Sequence, residues 1–287
     1  MDQRDEQAHG AVTAAADALY WSRMNTQAFL SIPPPLRPSA EDLDNYRRLS
    51  GRWQGAGRAP RLLVLGCTPD FWRLPLPEGT QRLAIDRSTL MLEHLWPGGS
   101  AHGMHADWSE LPVADASQDL VFCDGGFTLL DFPGRHRIVA AEIARVLSTG
   151  GLLLLRVHPR PSPAEQPDTV MAQFLAGRVA NSSELKLRLA AALCADPRAG
   201  TALDQVWQVF ERGVQEFDGL PQACGWPQQD IDRMRRYAGC MDRYTFPTLD
   251  EQLGIFAAAG SPFTLLAVER PGGKPGFSSP ILALQRA

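Results

Sequence analysis

The residues with the clearest chemistry lie between Gly66 and Asp86. Gly66-Cys67-Thr68-Pro69-Asp70 follows an unbroken apolar run, Leu62-Leu63-Val64-Leu65. Thr68 suits an N-cap, Pro69 an N1 position and Asp70 a first helical turn, so a strand should turn at Gly66 into a helix. A second strand over 82–85 ends on Asp86, 20 residues past Gly66. Strand, turn, short helix, strand and terminal acid form the first half of a doubly wound nucleotide-binding unit. Its acid is placed to accept hydrogen bonds from the ribose hydroxyls of an adenosine ligand. Two donors then meet one carboxylate, which binds them more strongly than a neutral oxygen would. Arg87, Ser88 and Met91 open the next helix and could flank such a ligand. Met91 serves equally well as a core filler.

The elements that must hold these residues follow from the periodicity. Ser88 to Leu95 has helical spacing and stops at Trp96-Pro97-Gly98-Gly99. A third strand is expected over 101–105, ending at Asp107-Trp108. A fourth over 119–123 ends on Asp124-Gly125-Gly126. A helix follows over 134–147, with Val139, Ile143, Val146 and Leu147 on one face. Thr149-Gly150-Gly151 reads as its C′ glycine stop. A fifth strand, 152–157, is continuously apolar, as a strand covered on both faces should be. His158 comes directly after it.

Upstream, 20–29 reads as a helix carrying three aromatics. Tyr20 and Trp21 either pack it onto the domain or form part of a lid over a substrate. IPPPLRP must be extended, and Ser39 should cap a helix over 39–49. Downstream of His158 four prolines mark a loop, and helical stretches follow at about 169–179, 182–195, 201–214, 227–239 and 249–259. Trp207, Phe210, Phe217 and Trp226 in this part could line an apolar pocket or form its own core. Two strand-like runs, 263–269 and 280–285, close the chain as an antiparallel hairpin at the sheet edge. The expected fold is therefore α/β: a doubly wound, mostly parallel seven-stranded sheet with N-terminal helices and a helical insertion before the closing hairpin. The corresponding segments are a cap over 1–55, a ligand-binding core over 56–158, a helical insertion over 159–245, and a closing helix and hairpin over 246–287.

Composition excludes several classes. The 287 residues are 44% hydrophobic and 21% charged, which is ordinary for a globular chain able to bury a core. The net charge is −4, so nothing favours a nucleic-acid partner. The charged start, MDQRDEQAHG, has no apolar core, and no run reaches membrane-spanning length, so neither a secretory leader nor a membrane partner is expected. Five widely spaced cysteines without a CxxC point to a reducing, cytoplasmic setting and no metal site. His94, His102, His105 and His136 show no ligand spacing.

The order of five β/α units, helical insertion and hairpin resembles the class I S-adenosylmethionine-dependent methyltransferases. RLLVLGC is similar to that family's first motif and LAIDRSTLML to its second. HADWSELPVADASQDLVFCDGG resembles the next two, and RVLSTGGLLLLR the helix-turn-strand that follows. The resemblance implies S-adenosylmethionine as cofactor, S-adenosylhomocysteine as product and a small-molecule acceptor. It places Gly66, Cys67, Thr68 and Pro69 beside the methionine part, Asp70 near its ammonium, Asp86 on the ribose, and Asp107 and Trp108 at the adenine. Asp124, Gly125 and Gly126 close the cleft. The first motif departs from the family's G-x-G-x-G, keeping only Gly66. A dinucleotide needs the missing glycine and free N–H groups for its pyrophosphate. Pro69 removes one donor and Asp70 adds a negative charge, so NAD is disfavoured more than a cofactor without phosphate. Methyl transfer needs alignment above all, worth roughly 7–11 kcal/mol in model systems. If the acceptor must lose a proton, His158 and Asp124 are the candidate bases. The altered motif leaves a non-catalytic binding or scaffold protein of the same fold as the alternative. An aromatic, Pro-rich N-terminus could also serve a homodimer contact.

Overall fold

The computed structural model describes residues 29–55, 57–214, 216–217, 219–258, 260–271 and 278–287. Tyr20 and Trp21 lie outside the described residues. Helix α1 (Ala40–Ser50) opens with a capping box in which the Ser39 hydroxyl accepts from the Asp42 N–H. The next elements are β1 (Arg61–Leu65), α2 (Pro69–Arg73), β2 (Gln81–Asp86), α3 (Thr89–His94), β3 (Gly103–His105), β4 (Gln118–Asp124), α4 (Gly134–Val146) and β5 (Leu147–Arg156). The insertion contributes α5 (Pro167–Leu175), α6 (Ser182–Leu193), β6 (Thr201–Ala202), α7 (Leu203–Gly213), α8 (Leu220–Cys224), α9 (Gln228–Arg235) and β7 (Arg243–Tyr244). Helix α10 (Leu249–Phe256) and strands β8 (Phe263–Glu269) and β9 (Ile281–Arg286) complete the order. No helix among the described residues is long and apolar enough to cross a membrane.

Seven strands form one sheet in the order β3-β2-β1-β4-β5-β9-β8. β1 pairs in parallel with β2 and β4, and β4 pairs in parallel with β5. The hairpin forms at the sheet edge, as expected. β9 runs antiparallel between β5 and β8, and β8 takes the edge. Because side chains alternate along a strand, each central strand feeds two cores. Leu63, Leu65, Val121 and Cys123 face α4 through Val139, Ile143 and Val146. Leu62, Val64, Leu120 and Phe122 face α1 and α2 through Tyr46, Leu49 and Phe71. Each fully buried Leu contributes about 1.5–3 kcal/mol by leaving water.

One expected stop is misplaced. α4 ends at Val146 on an extended Leu147, so Thr149-Gly150-Gly151 is not a C′ cap. These residues form an irregular turn within β5, where the register against β4 jumps from Gln118↔Leu147 to Leu120↔Leu152. Gly150 takes φ +77° there, and a Cβ on Gly151 would sit 2.8 Å from the Ser148 carbonyl oxygen.

The insertion has its own apolar centre. Phe174, Leu185, Phe210 and Trp226 are buried in it, and Trp207 and Phe217 pack against it. The four aromatics that could have lined a pocket are therefore core residues. The insertion reaches the sheet's cleft through Tyr244, at the end of β7, and through Leu129, which packs on the same core.

Candidate cofactor and acceptor cleft

A cleft opens at the C-terminal ends of β1, β2, β4 and β5, where the strand order reverses and open α/β sheets bind ligands. The turn after β1 is built on Gly66, whose φ of +91° is open to glycine and strained for other residues. Its N–H donates to the Ile85 carbonyl (2.8 Å), tying the turn to β2. Thr68 caps α2 in position only, because its hydroxyl makes no capping hydrogen bond.

Asp86 ends β2 with its carboxylate at the cleft. Oδ2 accepts the Cys67 N–H (3.1 Å) and Oδ1 accepts the Ser88 N–H (2.7 Å). One backbone donor per oxygen leaves acceptor capacity on both. Burial pushes this carboxyl up, and the two N–H groups pull the other way. The Cys67 thiol is raised by burial first and then by the Asp86 charge, so it is a protonated, inert lining group.

Trp108 crosses the floor. Its indole N–H donates to the Ile85 carbonyl (2.8 Å). The ring lies beside two glycines: a Cβ on Gly66 would be 3.5 Å from it, and one on Gly126 only 2.5 Å. Asp107 beside it accepts from Arg135 (2.6 and 2.7 Å) and from the Ser109 N–H (2.8 Å). Burial opposes ionisation of Asp107, but these hydrogen bonds outweigh it and hold the carboxyl below its usual range.

Two acids differ from their expected roles. Asp70 does not line the cleft, and both its oxygens accept from Arg37 at 2.9 Å. An ammonium would have to compete with that guanidinium. Pro69 is buried at the start of α2 and also lies off the cleft. Asp124 does line the cleft, but its Oδ1 accepts from the fully buried Arg156, so it is not a free base. Burial pushes the Asp124 carboxyl upward against the pull of Arg156.

His158 is buried, not solvated. Its Nδ1 is 2.7 Å from the Ser279 Oγ, and its Nε2 is where a Cβ on Gly125 would strike at 2.7 Å. Burial, then the charges of Arg156 and Lys186, hold it well below the ordinary imidazole range, so the ring is neutral. The cleft thus gathers Gly66, Cys67, Thr68, Asp86, Arg87, Ser88 and Met91 on one side. Asp107, Trp108, Asp124, Gly125, Gly126 and His158 complete the other.

The sequence reading missed Arg37, Arg135, Thr128 and Tyr244, which also line the cleft. None sits in a local pattern. Arg37 comes from the Pro-rich stretch before α1 and Tyr244 from the far end of the insertion. Among the described residues no group of three or more His, Cys, Asp or Glu could hold a metal ion.

Residues 63–155 match the family model described as a methyltransferase domain. No curated protein sequence matches the chain. Among solved structures, the chain is similar to a Burkholderia thailandensis 1,6-didemethyltoxoflavin-N1-methyltransferase with bound 1,6-didemethyltoxoflavin and S-adenosylhomocysteine. The identity is 14%, over 97% of this chain and 90% of that one, with a TM-score of 0.52. An S-adenosylmethionine-dependent methyltransferase from Mesorhizobium loti is 16% identical over 85% of this chain and 100% of that one, with a TM-score of 0.46. The matched residues run from β1 to β5 of a sheet in this order, so this part of the chain carries a methyltransferase domain.

Proposed function

We propose that the cleft binds S-adenosylmethionine and that the protein is an enzyme transferring its methyl group to a small-molecule acceptor. The observation that carries this reading is Asp86. It is a half-buried carboxylate at the end of β2, steadied by one backbone N–H on each oxygen and lining the cleft. That pair of acceptor oxygens suits a ribose diol, whose two hydroxyls donate. The start of α2 offers a phosphate one donor fewer, because Pro69 has no N–H there. Arg87, Ser88 and Met91 flank the adenosine. Asp107 and Trp108 border the adenine, and Gly66 to Thr68 lie along the methionine part. Arg37, anchored by Asp70, faces the carboxylate end. Residues 1–55 act as a cap and 159–245 as a substrate lid over the 56–158 core, closed by 246–287.

The bound cofactor supplies an already activated methyl group, so the chain's own task is orientation and the exclusion of water. Gly125, Thr128, Leu129 and the neutral His158 form the acceptor end, which is mainly apolar with few polar groups. A small-molecule acceptor is in keeping with this lining and with the ligand of the Burkholderia thailandensis neighbour.

Calorimetric titration with S-adenosylmethionine and S-adenosylhomocysteine tests the site. Micromolar binding is expected. Asp86→Ala should weaken it by about 1.5 kcal/mol or more, the scale of a charge-assisted hydrogen bond. Binding that Asp86→Ala leaves unchanged would remove the assignment. Binding without product across a broad acceptor panel would favour a non-catalytic binding protein instead.

A further inference from the structure

The chain has 28 basic residues, and only two of them, Lys186 and Lys274, are lysines. One of the two is fully enclosed. Lys186 stands in the middle of α6 with 2% of its surface exposed. Its Nζ is 2.8 Å from the Tyr244 Oη, 4.1 Å from the Tyr244 ring centroid and 4.8 Å from the Tyr237 ring centroid. An arginine here could never give up its proton, whereas a buried lysine can. Tyr244 in turn lines the cleft. The next residue fixes it there: the Thr245 N–H donates to the Thr128 carbonyl (2.8 Å) and its hydroxyl donates to the Leu130 carbonyl (2.9 Å). The cleft therefore carries a phenol backed by an amine, alongside a histidine that is a weak base and an aspartate held by arginine.

We propose that Tyr244 touches the acceptor and takes its proton during methyl transfer, with Lys186 the positioning residue that receives the proton passed on. This rests on the methyl-transfer reading above and narrows it to acceptors bearing an ionisable O–H or N–H. A lone pair on the acceptor oxygen or nitrogen forms the bond to the methyl carbon, and the electron pair of the broken carbon–sulfur bond leaves with sulfur. The acceptor's proton goes to Tyr244 Oη, the phenol's own proton goes to the neutral Lys186 amine, and the resulting ammonium returns it to water. The titratable groups around Lys186 are Tyr237, Cys240, Asp242, Tyr244 and His158. Cys240 and Asp242 favour the ammonium, but burial outweighs them and pulls Lys186 down to about 7.

The test is nitrogen NMR of the full chain labelled with [ζ-15N]lysine. Two signals arise, and Lys274→Arg leaves that of Lys186 alone. It should titrate near neutrality. A Lys186 signal that stays protonated up to pH 10 overturns the proposal whether or not any turnover is seen. With an O–H or N–H acceptor in hand, Tyr244→Phe and Lys186→Met should each lower kcat by about 100-fold or more. The affinity for S-adenosylhomocysteine should stay within about twofold. Wild-type kcat should rise towards neutral pH and level off, and Lys186→Met should lose that rise. Variants that bind S-adenosylhomocysteine and turn over normally also overturn it. If wild type methylates nothing while Lys186 titrates near neutrality, the methyl-transfer reading falls and the proposed proton transfer falls with it; the buried lysine's titration alone is upheld.

Discussion

His136 sits edge-on between two rings, 5.1 Å from the Phe127 centroid and 5.3 Å from that of Phe132, with no solvent contact. Burial pushes its pKa down to about 4. Below about 6.5 the unfolded chain takes up a proton that the folded chain refuses, so stability falls as pH drops from about 6.5 towards 4. At pH 5 this single residue should remove about 2 kcal/mol relative to pH 7.5. His158, also held low, loses stability on the same side. Urea unfolding at both pH values should show a smaller loss for His136→Phe than for wild type, and equal losses would refute the effect. At this scale the sequence was readable where chemistry is local. Asp86, Ser88 and Gly66 lie within one β-α-β stretch and were found from spacing alone. Arg37, Arg135 and Tyr244 were not, because the chain brings them to the cleft from distant segments, and neither was Lys186, which packs behind Tyr244; no spacing encodes that. Asp119 was missed for a related reason. Its buried carboxylate accepts from Arg58 and from the Arg61 side chain and N–H, partners 61 and 58 residues upstream.

At the level of elements, the turn after β4 is shaped by the tryptophan after β3. Gly126 leaves room for the Trp108 ring, and a Cβ there would come within 2.5 Å of it. Gly126→Ala should therefore destabilise the protein by about 1–3 kcal/mol, the range for overpacking, and weaken S-adenosylhomocysteine binding. Trp108→Leu in the same chain should restore much of the stability, although Trp108→Leu alone opens a void. Thermal melts of the two single variants and the double variant give the coupling, and strict additivity would show that the ring and the glycine are independent. α4 and the apolar β1 were legible within a residue or two, whereas β5 starts at Leu147, five residues before the expected 152. The two-residue β6 and β7 and the short α8 are too brief to show a period. The glycine pair after α4 misled because a glycine signals a left-handed residue without saying which element needs it. Here the need lies in the irregular turn of β5.

Across the whole molecule, one side chain joins the layers. Arg156 at the end of β5 contacts Asp124 on β4 and Asp42 on α1, the latter at 3.5 Å. Tyr46 on α1 adds to the seam, donating to the Cys123 carbonyl (2.8 Å) and accepting the Arg156 N–H (3.2 Å). Arg156→Met leaves two carboxylates buried without a cation. A loss of about 3–5 kcal/mol is expected in denaturant titration, with partial recovery on adding Asp124→Asn. A loss under about 1 kcal/mol, the surface-pair range, would mean the acids reach water. The sheet itself imposes an order on synthesis. β8 leaves the ribosome before β9, yet it can join the sheet only through β9, which must first lie against β5. Until β9 emerges, Leu152–Leu155 of β5 present a bare, apolar pairing edge to their surroundings. A nascent chain halted before Ile281 thus already holds the five parallel strands of the sheet, with a sticky edge on β5.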